Sequence, residues 1–448
     1  MLAPNLYCFK ILFFYQLVSM LGVVSIKLEC LMNFKEHLSG FILLGLILTL
    51  GGIALDSMIF FRLVIGLGLG YALTRSALGF AGSVNRAYRT GSTRLMRALM
   101  LMFSATAIAS VAFLYNKNPH DMNLWVNPIN AGLIVGGLLF GFGMSFASCC
   151  ASGVLTYFSS SLTRPMLVLL SFGIGVFLGF PLQAEQGWIR DSWFSSASYV
   201  DQGIYLPDLF SGTPMDGYLG AVMMTVLFSG IVIWFAHRYE YRRRQNDTYI
   251  GAAAEKEQIE SVPHDLAAHH FFSAETYRAL FIKRWSMTTG VAVIVVLFTL
   301  LMGVTGAGWG ASTPFGLWFG RLLIIGGVDP LSIAEFTHRP VQLFTMPFFS
   351  HPINVQNIGI MLGSVVSLLL AGRFYSGISR LRLSWREAGM LIMAGLAMGF
   401  GTRLANGCNV GALYTPIANF SLSGWIFLVV MIAGGVFGNL LGKRMKAA

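Results

Sequence analysis

Charge is scarce in this chain. Only 11% of its residues are Asp, Glu, Lys or Arg, and the acidic ones number 19. A soluble domain carries about a quarter of its residues as charges. With 55% of residues hydrophobic across 448 positions, a water-facing globule is excluded, and most of the apolar surface must meet lipid or other helices. Cysteine is scarcer still. Five thiols in so long a chain exclude a disulfide framework. A phosphate-binding loop of the form G-x-x-x-x-G-K-[ST] is missing, so nothing supports phosphoryl transfer or a nucleotide-driven motor. No Asp or Glu stands out inside an apolar run as a proton carrier.

Glycine and methionine, by contrast, are plentiful at 51 and 22 residues. Helices in lipid gain nothing by hiding apolar side chains from one another, so small residues bring their backbones together instead. The formal charge of +11 is also concentrated. Basic residues gather at the ends of apolar runs: Arg86, Arg89, Arg94 and Arg97; Arg238, Arg242, Arg243 and Arg244; Arg373, Arg380, Arg382 and Arg386; Lys443, Arg444 and Lys446. The intervening loops Tyr115–Pro128 and Gln183–Gly217 hold few positives and several acids. This is the positive-inside arrangement of a polytopic membrane protein, and it removes nucleic acid as a partner. The expected partners are the lipid bilayer and a small solute, the expected place is the cell inner membrane, and no cofactor or metal is expected. His264, His269 and His270 lie in a polar stretch and read as surface histidines.

Windowed hydropathy predicts about ten membrane segments. Gly40–Leu55 and Ile59–Leu73 come first, then a basic stretch Arg75–Arg97. Leu99–Tyr115, Ile129–Phe146, Met166–Phe180 and Tyr218–Phe235 follow. A long polar connector separates these from Met287–Met302, the short apolar piece Phe315–Ile325, Ile358–Ala371, Ala388–Thr402 and Trp425–Leu441. Phe315–Ile325 after the Gly-rich Gly303–Gly310 reads as a tucked-in or re-entrant element. The expected division is an N-terminal extension over 1–38, a first membrane repeat over 39–237, a cytoplasmic connector over 238–285 and a second membrane repeat over 286–448. Ile11–Ile26 lacks a small-x-small cleavage site, and Met32, shortly before Lys35 and the first clear span, reads as the natural start.

Two stretches 258 positions apart spell nearly the same phrase, Gly137–Leu155 and Gly395–Leu413. They pair Gly141-Phe142-Gly143 with Gly399-Phe400-Gly401, Ala147 with Ala405, Cys150 with Cys408, and Gly153 with Gly411. Each is an apolar helix that breaks into a small-residue loop holding a thiol. Counting crossings, the first is approached from outside and the second from inside. The expected fold is therefore an all-α membrane bundle of two pseudo-symmetric, inverted repeats with re-entrant Gly-Cys loops.

A broken helix is tolerated in the bilayer only where its freed backbone groups line a cavity or are buried in protein. A half-helix starting near Cys150 or Cys408 would aim amides at the loop and favour an anion. Gly153, Gly407 and Gly411 would allow the tight turn and close approach. A thiol there is soft and polarisable, which suits a sulfur-bearing anion. A lone cysteine in a membrane helix is ordinarily a small buried hydrophobe; the matched pair in two glycine-rich breaks moves the balance toward binding. Cys149, opposite Gly407, reads as packing. Arg403 either steers an anion or snorkels to an interface. Asn406 and Asn409 either donate to an oxyanion or cap the broken helix. Arg321 is expected to face protein or water.

At these residues the chain resembles the YeeE/YedE family. Gly399–Leu413 followed by Phe420–Trp425 is similar to that family's Gly-Cys signature, and Gly136–Gly143 through Cys150 and Gly153 to its companion copy. The resemblance extends more loosely from about Gly40 to Lys443. It implies a pseudo-symmetric helical bundle in which thiosulfate passes a central constriction, held in turn by thiols that carry over onto Cys150 and Cys408. The family's third cysteine, in an Arg-x-Cys segment, falls on Arg75-Ser76-Ala77 and is absent; Cys149 stands where glycine is usual. The leading expectation is a non-enzymatic permease for thiosulfate or a related sulfur or selenium anion, with a cytoplasmic sulfurtransferase as candidate partner. The alternative is a membrane thiol relay or sulfurtransferase carrying a cysteine persulfide.

Overall fold

The computed structural model describes residues 35–80, 82–115, 117–148, 153, 155–156, 163–260, 274–377 and 383–447. Its principal helices are α1 (Lys35–Ala54), α2 (Ser57–Ser76), α3 (Gly82–Thr90), α4 (Arg94–Leu114), α5 (Ala131–Ala147), α6 (Thr163–Glu185) and α7 (Tyr218–Gln245). After these come α8 (Ala253–Glu260), α9 (Met287–Thr305), α10 (Thr313–Ile325), α11 (Pro330–Thr337), α12 (Pro352–Leu370), α13 (Trp385–Leu404) and α14 (Ser423–Ala447). Among the described residues nine helices are long and apolar enough to cross a membrane, and α5 and α10 are shorter apolar helices. The protein is a polytopic all-helical membrane protein. With 13 residues, α10 reaches only about 20 Å at 1.5 Å per residue, short of a bilayer core. The histidines at 264, 269 and 270 lie outside the described residues.

Helix starts follow local chemistry. The Asn130 side chain accepts from the Leu133 amide at the head of α5 and donates to the Ile189 and Asp191 carbonyls. That one residue caps the helix and pins the loop after α6. Ser384 and Glu387 form a reciprocal capping box on α13. The lipid-facing side is equally legible in α7. Its buried residues Ala221, Thr225, Ser229, Ala236 and Glu240 repeat at helical spacing, while Met223, Leu227, Ile231, Trp234 and Phe235 are exposed. The small stripe faces α4, where Ser104 and Ser229 hydroxyls meet at 2.8 Å.

Glycine brings the central helices together. A Cβ added at Gly143 would lie 2.5 Å from the Ala394 carbonyl oxygen, and one added at Gly401 2.7 Å from that of Gly136. These are matched positions of the two phrases, so α5 and α13 cross antiparallel and contact each other reciprocally. The same exchange recurs outward. Gly399 approaches the Phe172 carbonyl on α6 and Gly141 that of Met431 on α14, each leaving 2.1 Å for a Cβ. Gly175 faces Leu396 as Gly434 faces Leu138. The helix before each break therefore packs on the helix after the other. Elsewhere α2 and α12 lie parallel, with Gly66 on Gln356 and Gly70 on Ile360.

The polar connector contains a helix that is tied down. Gln258 of α8 donates to the Ser76 and Trp285 carbonyls at 2.7 and 3.0 Å. Glu255 accepts from Ser92 at 2.5 Å, and Glu257 pairs with Arg284 at 2.5 Å and with Arg373. Partial burial pushes the Glu257 carboxyl up, but hydrogen bonds from Arg373 and Arg284 outweigh it and hold the group below its ordinary 4.5.

Two outcomes are expected. Gly399→Leu forces the α13–α6 contact apart and lowers stability by about 1–3 kcal/mol, read as a fall in the unfolding midpoint of purified protein. A carboxyl with a depressed folded value adds stability that is present above its unfolded value and lost as pH falls through the folded one. Amide protection of α8 should therefore hold from neutral pH down to the ordinary carboxylate range and fall away below it, and Glu257→Gln should lose that acid dependence.

Candidate anion site at the helix breaks

Both breaks are made by one residue in left-handed conformation. Ser148 ends α5 at φ +57°, and Asn406 follows α13 at φ +56°. The two are matched positions, and short polar side chains are among those that tolerate this backbone. After the first break, Cys149 and Cys150 lie outside the described residues. Gly153 is buried in a short helical stretch whose carbonyl accepts from Thr156, and Ser364 of α12 bonds the Thr156 carbonyl at 2.9 Å.

The second break is described throughout. The Gly407 amide turns back to the Thr402 carbonyl at 2.8 Å, Cys408 is extended, and the Ala412 amide returns to the Cys408 carbonyl at 2.6 Å. A wide turn over Asn409–Tyr414 then runs into Thr415–Ala418. Gly407 is required because a Cβ there would sit 2.4 Å from the Gly411 carbonyl carbon. At Gly411 a Cβ would sit 2.9 Å from the Trp125 ring, and the Gly411 carbonyl accepts from Asn127 at 3.2 Å. Below, Tyr414 is enclosed by Phe80, Phe103, Phe298 and Trp309, with its hydroxyl 2.9 Å from Thr106. Cys408 has no exposed surface.

Arg403 is buried in protein, 3% exposed, rather than snorkelling to an interface. Its guanidinium donates to Ser312 at 2.8 Å, Thr313 at 3.2 Å and Thr402 at 3.3 Å, and the Cys408 thiol lies within its electrostatic range. Arg339 shares the Phe180 ring with it, at 5.0 Å against 5.5 Å for Arg403. Among the described residues neither arginine joins an ion pair. Arg339 reaches the loop indirectly: it donates to Gln183 at 2.8 Å, and Gln183 donates to Asn406 at 2.5 Å. A buried guanidinium and a half-buried one, bonded to neutral hydroxyls and an amide near a buried thiol, form a setting for an anion rather than a cation.

The fold thus gathers Arg403, Asn406, Gly407, Cys408, Asn409 and Gly411 within one break. Asn406 ends α13 through its left-handed backbone, with the next amide returned to the Thr402 carbonyl, while neither asparagine side chain caps a helix start. Asn406 accepts from Gln183, and Asn409 donates to the Met144 sulfur at 3.4 Å, tying this loop to the end of α5. Arg321 does bond protein, donating to the Met346 carbonyl. Arg339, Gln183, Ser312 and Asn127 were not singled out in the sequence. They come from four separate loops and helix ends, and no local motif marks them.

A family model described as Sulphur transport matches residues 75–437. The chain belongs to this family, the YeeE/YedE sulphur transporters. The family's relatives fall into two kinds. The chain is 24% identical to the Thiosulfate transporter TsuA of Spirochaeta thermophila over 389 residues, 84% of this chain and 97% of that one. It is 22% identical to the Escherichia coli TsuA, across 84% of this chain and 93% of that relative. The Probable transporter YedE of Escherichia coli is more similar, at 31% identity, but over 160 residues that make up 36% of this chain and 38% of YedE. Transport is common to these names, with sulphur named by the family model and thiosulfate by the two TsuA relatives.

Asn406 gives a direct test of the break. Asn406→Val puts a β-branched residue at φ +56° and deletes the Gln183 contact, costing about 1–2 kcal/mol for the backbone alone. Asn406→Gly keeps the backbone and should cost less. Unfolding midpoints of the two variants give the order.

Proposed function

We propose that this chain is an inner-membrane permease that imports thiosulfate or a closely related sulfur or selenium anion, passing it along a central pathway by the thiols of Cys150 and Cys408. The observation that carries the reading is the second break: a fully buried Cys408 within range of Arg403, in a loop that Arg339 braces through Gln183 and Asn406. The cations draw the anion out of water, and the thiol takes it by an S–H hydrogen bond with no covalent step. Asn406, Asn409, Gly407 and Gly411 shape this station, and Gly153 shapes its counterpart at Cys150. Transport without chemical change makes the protein no enzyme, and a cytoplasmic sulfurtransferase would receive the imported anion.

We also propose two inverted repeats, with α5 and α6 answering to α13 and α14. The reciprocal glycine contacts support this, as does the matched left-handed residue at each break. The correspondence extends to α4 with α12, α2 with α9 and α1 with α7. In support, α2 packs on α12 as α9 packs on α4, and α1 meets α12 at Gly40 as α7 meets α4. On this assignment the joint between halves falls in the loop 186–217. The connector over 238–285 then lies inside the second repeat, a different division from the one the polar composition suggested.

Proteoliposomes loaded with no substrate should accumulate radiolabelled thiosulfate, and Cys408→Ala or Cys150→Ala should cut the initial rate tenfold or more, on the order of one charge-assisted hydrogen bond, while the protein still inserts. Normal flux in the double variant would end the thiol mechanism. A persulfide trapped on Cys150 or Cys408 after turnover, with no net uptake, would favour the thiol-relay alternative.

A further inference from the structure

The helix α10 is too short to cover the one it packs on. Its glycine and ring contacts with α6 all fall between Phe172 and Phe180: Phe315 meets Phe172 and Gly173, Gly316 meets Val176 and Phe180, and Phe319 and Gly320 meet Phe177. Beside the opening turns of α6 a cavity of ≈ 690 Å³ is left instead, walled by α6 from Thr163 to Gly173, by Trp318 and Leu322 of α10, and by Leu383. The wall is apolar. Its Trp318 N–H is spent on Asn354 at 2.9 Å, and the Thr163 hydroxyl is the other polar side-chain group in it among the described residues. Water needs about two to four polar partners to settle in such a space, and an unfilled one forfeits dispersion contacts for every side chain around it. Met166, Leu170 and Leu322 are exposed, so the space opens sideways, on a helix long and apolar enough to cross the bilayer. What stands at that depth and matches the wall is a hydrocarbon chain.

One end of the cavity is charged. Gly395 lies on Val168 and Gly399 on Phe172, so α6 and α13 run parallel and their first turns are side by side. There Arg164 pairs with Glu387 at 3.1 Å, and Arg386 is exposed with no ion pair among the described residues. Trp385 beside it is also exposed, as an anchor at headgroup level is. A phosphate attached to a chain in the cavity would lie at the level of these arginines, which attract it.

We propose that this cavity is a phospholipid site: one acyl chain fills the space between α6 and α10, and the headgroup phosphate meets Arg386 and Arg164. The chain completes the packing of a helix that cannot complete it alone. Its effect reaches the second break, because Ser312 and Thr313 at the head of α10 are the residues that hold Arg403. The site stands whether or not the permease reading holds.

The full chain, purified in detergent, is released from its micelles in a mass spectrometer, and the phospholipids that stay bound are counted. One should stay on the wild type. Leu170→Trp, which puts an indole into the cavity, should release it. Added phosphatidylglycerol should raise the unfolding midpoint of delipidated wild type, and its apparent affinity should fall about tenfold or more in Leu170→Trp. Arg386→Gln should keep the chain but hold the lipid more weakly. Leu383→Phe narrows the cavity from the opposite wall and serves if Leu170→Trp does not fold. A wild type that keeps no phospholipid overturns the site, as does a filled variant that keeps it, or a quinone or free fatty acid found in its place. An Arg386→Gln protein that binds phosphatidylglycerol like the wild type overturns the headgroup contact. Uptake in Cys408→Ala reports on the permease reading separately, so either proposal can fail alone.

Discussion

Backbone-to-backbone approach at the crossing of α5 and α13 is the contact on which the rest of the structure depends. In lipid there is no gain from hiding one apolar surface on another, so cohesion comes from dispersion at short range. Gly136, Gly143 and Gly401 remove the only atoms that would keep these two helices apart, and Gly141 and Gly399 do the same for their flanking partners. Four helices are thereby fixed in register to within a side chain. Because the crossing is antiparallel, the two breaks at Ser148 and Asn406 leave the bundle at opposite ends of the pair.

This geometry explains what the sequence could and could not disclose. Spans were legible because hydropathy reports directly on lipid contact, and the break at Asn406 was legible because its glycines and cysteine repeat an earlier phrase. Arg403 was visible as a charge in an apolar run, but its fate was not; burial against Ser312 and Thr313 depends on a loop 90 positions away. Arg339 and Gln183 carried no signal. Each is an ordinary polar residue near a helix end, and only the folded chain sets them 2.8 Å apart. The polar composition of the connector did not disclose its packing: Glu255 and Gln258 are 4% and 3% exposed and hold α8 against the bundle.

The two arginine clusters share a physical theme at different places. Above Cys408, Arg403 and Arg339 flank one aromatic ring and spend their donors on neutral hydroxyls and amides. At α8, Arg284 and Arg373 both pair with the Glu257 carboxylate. A neutral partner leaves a cation's field largely intact, whereas a carboxylate cancels it. The field of the first cluster is thus left largely intact, and that of the second is partly cancelled.

The position that answers to Arg403 in the first phrase is Ser145, and each packs against the matching glycine, Gly179 or Gly438. The glycine contacts therefore repeat while the charge on these two side chains does not; at the first break a guanidinium comes instead from Arg89, which donates to the Ser145 carbonyl at 2.9 Å and the Ser148 hydroxyl at 3.4 Å. One break thus carries its guanidinium on the broken helix itself, and the other borrows one from α3.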